Sequence, residues 1–185
     1  MTVRNGMYDL IDQFRNLVND AAGSAFTNDR AQQILDRRSQ YFYQDALTVT
    51  PQQVASGSVA YHVYRSHYTN LEGTASGTVY FRLYDSLGTA ITSGYTLDAD
   101  TGYIRFTANQ AGSARYLDGR AFDLYAAVAD GWRELAAAKS GMYDFRVEGR
   151  QYSRSQWFKH CQDMAAYFDG LGGFSQATIE RGDMC

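Results

Sequence analysis

Residues 118–132 read DGRAFDLYAAVADGW, and an alanine-rich run continues as far as Lys139. Phe122, Tyr125, Ala129, Trp132 and Ala136 recur at the three-and-four spacing of one helix face, and the alanines between them have the highest helix propensity. From Asp118 onward the spacing predicts a long, central helix, stopped by Gly141. Its apolar face needs a partner, because an amphipathic helix is stabilised mainly by what it packs against.

Upstream, Met7, Leu10, Ile11, Phe14, Leu17, Val18 and Ala21 mark a first amphipathic helix with Gly23 as its stop. Thr27 or Asn28 offers a side-chain oxygen to cap a second helix through Ile34, Leu35 and Tyr41 to about Gln44. The period changes at Thr48, and Pro51 with Ser56 and Gly57 marks a boundary. Strand chemistry follows in Val59–Tyr68, Thr78–Tyr84 and Tyr103–Thr107, joined by turns at Ser86–Gly88 and Asp98–Gly102. Downstream, MYDFRVEG (142–149) predicts a short strand and a turn at Glu148 and Gly149. Ser153 to Gln156 then fits a capping box for a last helix carrying Trp157, Cys161, Met164, Ala165 and Phe168.

The expected fold class is therefore α+β: about four helices with a small antiparallel sheet of four to six strands inserted between the second and third. The segments are a helical hairpin at 1–46, the inserted sheet at 57–117, a region at 118–169 that packs on the first helices, and a flexible tail at 170–185.

Composition narrows the function. The 185 residues carry 17 basic and 20 acidic side chains, a net charge of −3, so no basic excess exists to bind a phosphate backbone by counterion release. No apolar run approaches the roughly 20 residues that span a bilayer, and Asp9 and Asp12 interrupt the place of a secretion-signal core. Two cysteines, Cys161 and Cys185, lack ligand-spaced partners, so neither a disulfide framework nor a zinc site is expected, and a reducing cytosol suits them. The 15 tyrosines, together with the dominance of arginine over two lysines, match the residue preferences of buried protein interfaces. They also suit a small sheet.

Candidate chemistry is sparse. His62 and His67 lie five apart in a strand pattern and point to opposite faces, and His160 stands alone on a helix; surface or packing roles are expected for all three. No GxSxG string supports a nucleophile. Asp98 and Asp100 open like an oxygen-ligand calcium loop, but Gly102 and Asn109 break that pattern, leaving a hairpin turn. Cys161 is expected to pack as a small hydrophobe, and Arg181-Gly182-Asp183 is read as coincidence. No catalytic residue, metal or cofactor is expected.

Three stretches, SAFTNDRAQQILDRR (24–38), DGRAFDLYAAVADGW (118–132) and MYDFRVEGRQYSRSQ (142–156), occur in an order that resembles the head-to-tail connector proteins of tailed bacteriophages, also called adaptor or head-completion proteins. The resemblance runs over residues 5 to 169, with a variable β insertion. It implies a structural virion protein made in the host cytoplasm and located at the head-to-tail junction, as a twelvefold ring of copies beneath the portal protein. Such a ring extends the DNA channel, lets DNA pass without specific binding, and presents a platform for a neck, stopper or tail protein. By that resemblance Leu171, Phe174 and Ile179 are candidate portal anchors. A second reading is a ligand- or carbohydrate-binding module using Tyr61, Tyr64, Tyr80 and Tyr84. A third is an enzyme with Asp98, Asp100 and His62 as its acid–base groups.

Overall fold

The computed structural model describes residues 2–54, 57–73, 80–139, 145–147, 150–152 and 154–173. The chain has a mixed α+β fold that divides into two compact units. Among the described residues, one takes 2–3, Met7–Arg38 and Asp123–Gly173, and the other takes Arg4–Gly6 and Ser39–Phe122.

The helical unit contains α1 (Tyr8–Leu17), α2 (Asn28–Arg37), α3 (Leu124–Lys139), a hairpin of β9 (Phe145–Val147) and β10 (Arg150–Tyr152), and α4 (Arg154–Leu171). Most of the expected apolar positions are buried: Leu10, Ile11 and Phe14 of α1, Ile34 and Leu35 of α2, Ala129, Trp132 and Ala136 of α3, and Cys161, Ala165 and Phe168 of α4. Tyr125 and Trp157, expected on the same stripes, are instead 40% and 42% exposed. Both α1 and α2 pack on α3, and α3 packs along α4. Gly131 permits the closest approach, since a Cβ there would sit 2.8 Å from Phe14 Cζ.

Two bidentate ion pairs tie α2 to α3. Arg30 donates to both Glu134 oxygens at 3.0 and 2.6 Å, and Arg38 to both Asp130 oxygens at 2.7 and 2.9 Å. The Thr27 hydroxyl caps α2 by accepting from Arg30 N at 3.3 Å, as its sequence position suggested. Asp123 caps α3 through Ala126 N at 3.0 Å and also accepts from Gly173 N at 2.7 Å. Helix α1 stops at Leu17, before the expected Gly23, and the buried Asp20 carboxylate organises the loop that follows. It accepts from the backbone N–H groups of Ser24, Ala25 and Phe26 and from the Ser24 hydroxyl.

The β unit departs from the expected boundaries. The second helix ends at Arg37 and not near Gln44, because Ser39–Ala46 is strand β1, whose side chains alternate between a core and an open face. The unit spans Ser39–Phe122, wider than the expected 57–117, and holds β2 (Thr48–Gln53), β3 (Val59–Arg65), β4 (Arg82–Tyr84), β5 (Ala90–Ile91), β6 (Tyr95–Asp98), β7 (Tyr103–Phe106) and β8 (Tyr116–Phe122). These form two four-stranded antiparallel sheets, ordered β1-β8-β4-β5 and β2-β3-β7-β6, not a single sheet of four to six strands. Pro51 is no boundary. It lies in β2, an edge strand, beside a register shift between Thr50 and Gln52, where its missing N–H costs little.

Asp118, expected to open the central helix, lies in β8, and α3 begins only at Leu124. The chain passes from β1 of the first sheet to β2 of the second through Leu47. Phe42, Leu47, Tyr64, Leu71, Leu83, Ile104, Phe106 and Leu117, drawn from both sheets, share one core. The expected turns at Ser86–Gly88 and Asp98–Gly102 form; Asp85 holds the first by accepting from Leu87 N and Thr89 N at 2.9 and 2.8 Å. The stop at Gly141, the turn at Glu148 and Gly149, the cap Ser153, Thr78 with Val79, and the tail beyond Gly173 lie outside the described residues.

Candidate functional site: the open face of the first sheet

The alternation of β1, β4 and β8 places one set of side chains in the core and the other on an open face. Register pairs show which residues share it: Tyr41 lies opposite Arg120, and Arg82 and Tyr84 lie opposite Asp118 and Tyr116. The opposite set, with Phe42 across from Gly119 and Leu83 across from Leu117, faces the core. Tyrosines 41 and 43 are 45% and 75% exposed, which makes this face a surface of tyrosine with interspersed charge.

Its position rests on a defect in β1. Between Phe42 and Asp45 the register shifts, so that Tyr43 and Gln44 bulge across from Asp118. Gln44 adopts φ +53°, a left-handed conformation uncommon outside glycine, and its N–H donates to Asp118 Oδ1 at 2.7 Å. A bulge of this kind re-aims side chains. Here it accompanies two clefts that share Asp118. The larger, of about 420 Å³, is lined by Gln44, Tyr84, Ser86, Gly88, Tyr116 and Asp118. The smaller, of about 210 Å³, is lined by Tyr41, Tyr43, Tyr80, Arg82, Asp118 and Gly119.

Beneath the smaller cleft the charges are fixed. The fully buried Glu72 carboxylate accepts from Arg4 at 2.8 and 3.3 Å and faces Arg120 at 3.8 Å. Arg120 also donates to the Ser39 hydroxyl at 3.0 and 2.7 Å. Its guanidinium lies over the rings of Tyr41, Tyr80 and Phe122, 4.9, 5.5 and 5.1 Å from their centroids, within cation–π range. Burial raises the Tyr41 hydroxyl above the usual phenol value against the opposing pull of Arg120, with help from its hydrogen bond to Tyr80. Tyr41 is therefore neutral at physiological pH.

The sequence candidates are dispersed. Tyr80 and Tyr84 line the open face. Tyr64 is fully buried in the core, where its hydroxyl donates to Ser113 O at 2.9 Å, and Tyr61 belongs to the second sheet beside Gly112. The four do not form one row, so the tyrosine set of the binding-module expectation is corrected to Tyr41, Tyr43, Tyr80, Tyr84 and Tyr116. Sequence reading misses Tyr41 and Tyr43 because it extends the second helix to about Gln44, where the alternation in SQYFYQ was the available signal. Tyr116 lies within the expected sheet at 57–117 but outside the strands read there.

His62 Nδ1 lies 3.1 Å from Phe106 O. His67, beyond the end of β3, has an acidic neighbour, with Nδ1 2.6 Å from Asp45 Oδ1. His160 packs edge-on to Trp132. Asp98 and Asp100 shape the β6–β7 turn, accepting through their backbone carbonyls from Gly102 N and Asn70 N. Among the described residues no three metal-ligating side chains cluster, and no helix is long and apolar enough to cross a membrane. Cys161 is buried on the packed face of α4; Cys185 and Arg181–Asp183 lie outside the described residues.

A second exposed aromatic surface occurs in the helical unit. Trp157, His160, Met164, Tyr167 and Leu171 recur every three or four residues and so share one stripe along α4, in which Trp157 and Leu171 are each more than 40% exposed. The stripe runs for about 21 Å at 1.5 Å per residue. Of the three expected portal anchors Leu171 ends this stripe, whereas Phe174 and Ile179 lie outside the described residues.

These features define a mixed α+β protein whose notable surfaces are suited to contact with other molecules. Compared with known proteins, the chain matches no family model, no curated protein and no solved structure.

Proposed function

We propose that this chain is a structural assembly protein, a head-to-tail connector of a tailed bacteriophage that forms a ring beneath the portal and joins the capsid to neck or tail components. One observation carries most of the reading: each compact unit presents its own exposed aromatic surface, the α4 stripe in one and the tyrosine face in the other. A closed ring of identical subunits needs two different patches that meet head to tail, and Tyr, Trp and Arg are the residues that dominate binding energy at such contacts.

The stretches behind the sequence resemblance are also physically coupled. Arg38 of the first meets Asp130 of the second on α3, and Arg30 meets Glu134 further along the same helix. The net charge of −3 suits a channel wall along which DNA slides.

Two experiments test this. Mass measurement of the purified chain with and without portal rings should show a ring-sized species on the portal; a monomer that ignores portal rings overturns the reading. Deletion of residues 171–185 should leave a folded protein that no longer sediments with portal rings, and undiminished sedimentation removes Leu171, Phe174 and Ile179 as anchors.

A further inference from the structure

We propose that the larger cleft of the open face is a binding site for a neutral saccharide, with Asp118 as its central hydrogen-bonding group. This goes beyond the connector reading and concerns the free subunit, in which the tyrosine face is open and every residue involved belongs to one chain.

The lining selects the ligand class. At about 420 Å³ the cleft lies within the size range of small-molecule sites, which are concave and combine apolar surface with a few placed polar groups. Tyr84 and Tyr116 are register partners on adjacent strands and both line the cleft, so each can offer an aromatic surface of the kind that the C–H face of a sugar ring covers. Around them are a carboxylate, an amide and a hydroxyl, from Asp118, Gln44 and Ser86. These three supply both donors and acceptors, which matches a ligand whose hydroxyls each donate and accept.

Among the described residues the cleft lining carries a carboxylate and no Lys, Arg or His, which favours a neutral ligand over a phosphate or a sugar acid. Arg82 lies in the smaller adjoining cleft.

The site is also built. Asp118 spends one oxygen, Oδ1, on the N–H of Gln44, and that bond holds Gln44 in its left-handed conformation at the rim. Backbone strain of this sort, maintained by the surrounding structure, tends to mark functional positions. On the opposite rim, Asp85 pins the turn that carries Ser86 and Gly88 through two backbone hydrogen bonds. Both rims are thus fixed before a ligand arrives, which reduces the ordering cost of binding. The smaller cleft, with Tyr41, Tyr43 and Tyr80, continues from Asp118 and would seat a second sugar ring.

The test is titration of the isotope-labelled full chain, followed by NMR, with maltose, cellobiose, lactose and di-N-acetylchitobiose. Glucuronate serves as the anionic probe and N-acetylarginine amide as the cationic one. At least one neutral disaccharide should give saturable shifts at Gln44, Tyr84, Ser86, Tyr116 and Asp118 without shifting Tyr61 or Tyr103 of the second sheet. Tyr84→Ala should abolish them.

Should that variant fail to fold, Asp118→Asn decides the matter. It keeps an oxygen for the Gln44 N–H while removing the charge, and should weaken binding about tenfold, the equivalent of one charge-assisted hydrogen bond. The proposal is overturned if no neutral saccharide produces saturable shifts at these residues, or if Asp118→Asn leaves affinity unchanged. Saturation by the arginine probe alone also overturns it, and reassigns the cleft to a cationic side chain of a protein partner.

Discussion

Replacing Glu72 with glutamine should destabilise the β unit more than any exposed charge change. Its carboxylate is fully buried, held by Arg4 at 2.8 Å and facing Arg120 at 3.8 Å, and the Arg120 side chain is itself only 8% exposed. The amide keeps the shape and one acceptor oxygen but removes the charge that faces a buried guanidinium. Breaking a buried ion pair by removing one partner costs about 3–5 kcal/mol. Arg4, about a fifth exposed, can recover hydration, so the lower end applies, roughly 3 kcal/mol.

For a chain of this length that corresponds to a fall in Tm of about 6–12 °C. Trp132 and Trp157 both lie in the helical unit, so tryptophan fluorescence would miss the effect; urea unfolding should be followed by tyrosine near-UV dichroism or amide exchange in β4 and β8. Arg4→Gln should cost less, about 1–2 kcal/mol, because its partner Glu72 keeps Arg120 nearby. A Glu72→Gln variant within about 0.5 kcal/mol of the parent, or less damaged than Arg4→Gln, would refute the argument that the buried carboxylate organises this face.

Two further predictions concern single packing or electrostatic events. Burial opposes ionisation of Asp20, but hydrogen bonds from Phe26, Ala25 and Ser24 prevail and hold its pKa below 3.8. Because the folded pKa is depressed, its stabilisation is present above the unfolded value and is lost as pH falls through the folded one. Asp20→Asn should cost about 1–3 kcal/mol at neutral pH and flatten the acid limb of a stability–pH curve; an unchanged acid limb contradicts the assignment. A Cβ at Gly119 would sit 2.5 Å from Phe42 Cζ, in a ring stacked on Tyr68 at 4.3 Å. Gly119→Ala should therefore cost about 1–3 kcal/mol, and a double-mutant cycle with Phe42→Leu should recover part of it. Additive losses would show that the two sites do not meet.

The helices were legible because their evidence is local. Thr27 caps α2 from the position its side chain suggested, and most of the expected apolar positions of α1, α3 and α4 are buried, with Tyr125 and Trp157 as exposed exceptions. The candidate site was only half legible: Tyr80 and Tyr84 are on it, while Tyr61 and Tyr64 are not. Tyr64 fell out because its burial depends on packing between strands far apart in sequence, with Phe106 5.3 Å away at the ring centroids.

By itself, the sequence determined the α+β class and the insertion of β structure between the second and third helices. These follow from side-chain periodicity and residue type, which act over a few positions. Only the tertiary structure decided where the second helix yields to β1, that Asp118 and Gly119 belong to a strand, and that five tyrosines share an open face. Strand identity is settled by partners: Phe42 requires the bare backbone of Gly119 beneath its ring, and Gln44 requires Asp118 to hold its left-handed turn. Neither requirement exists until β1 and β8, separated by about 75 residues of chain, lie side by side.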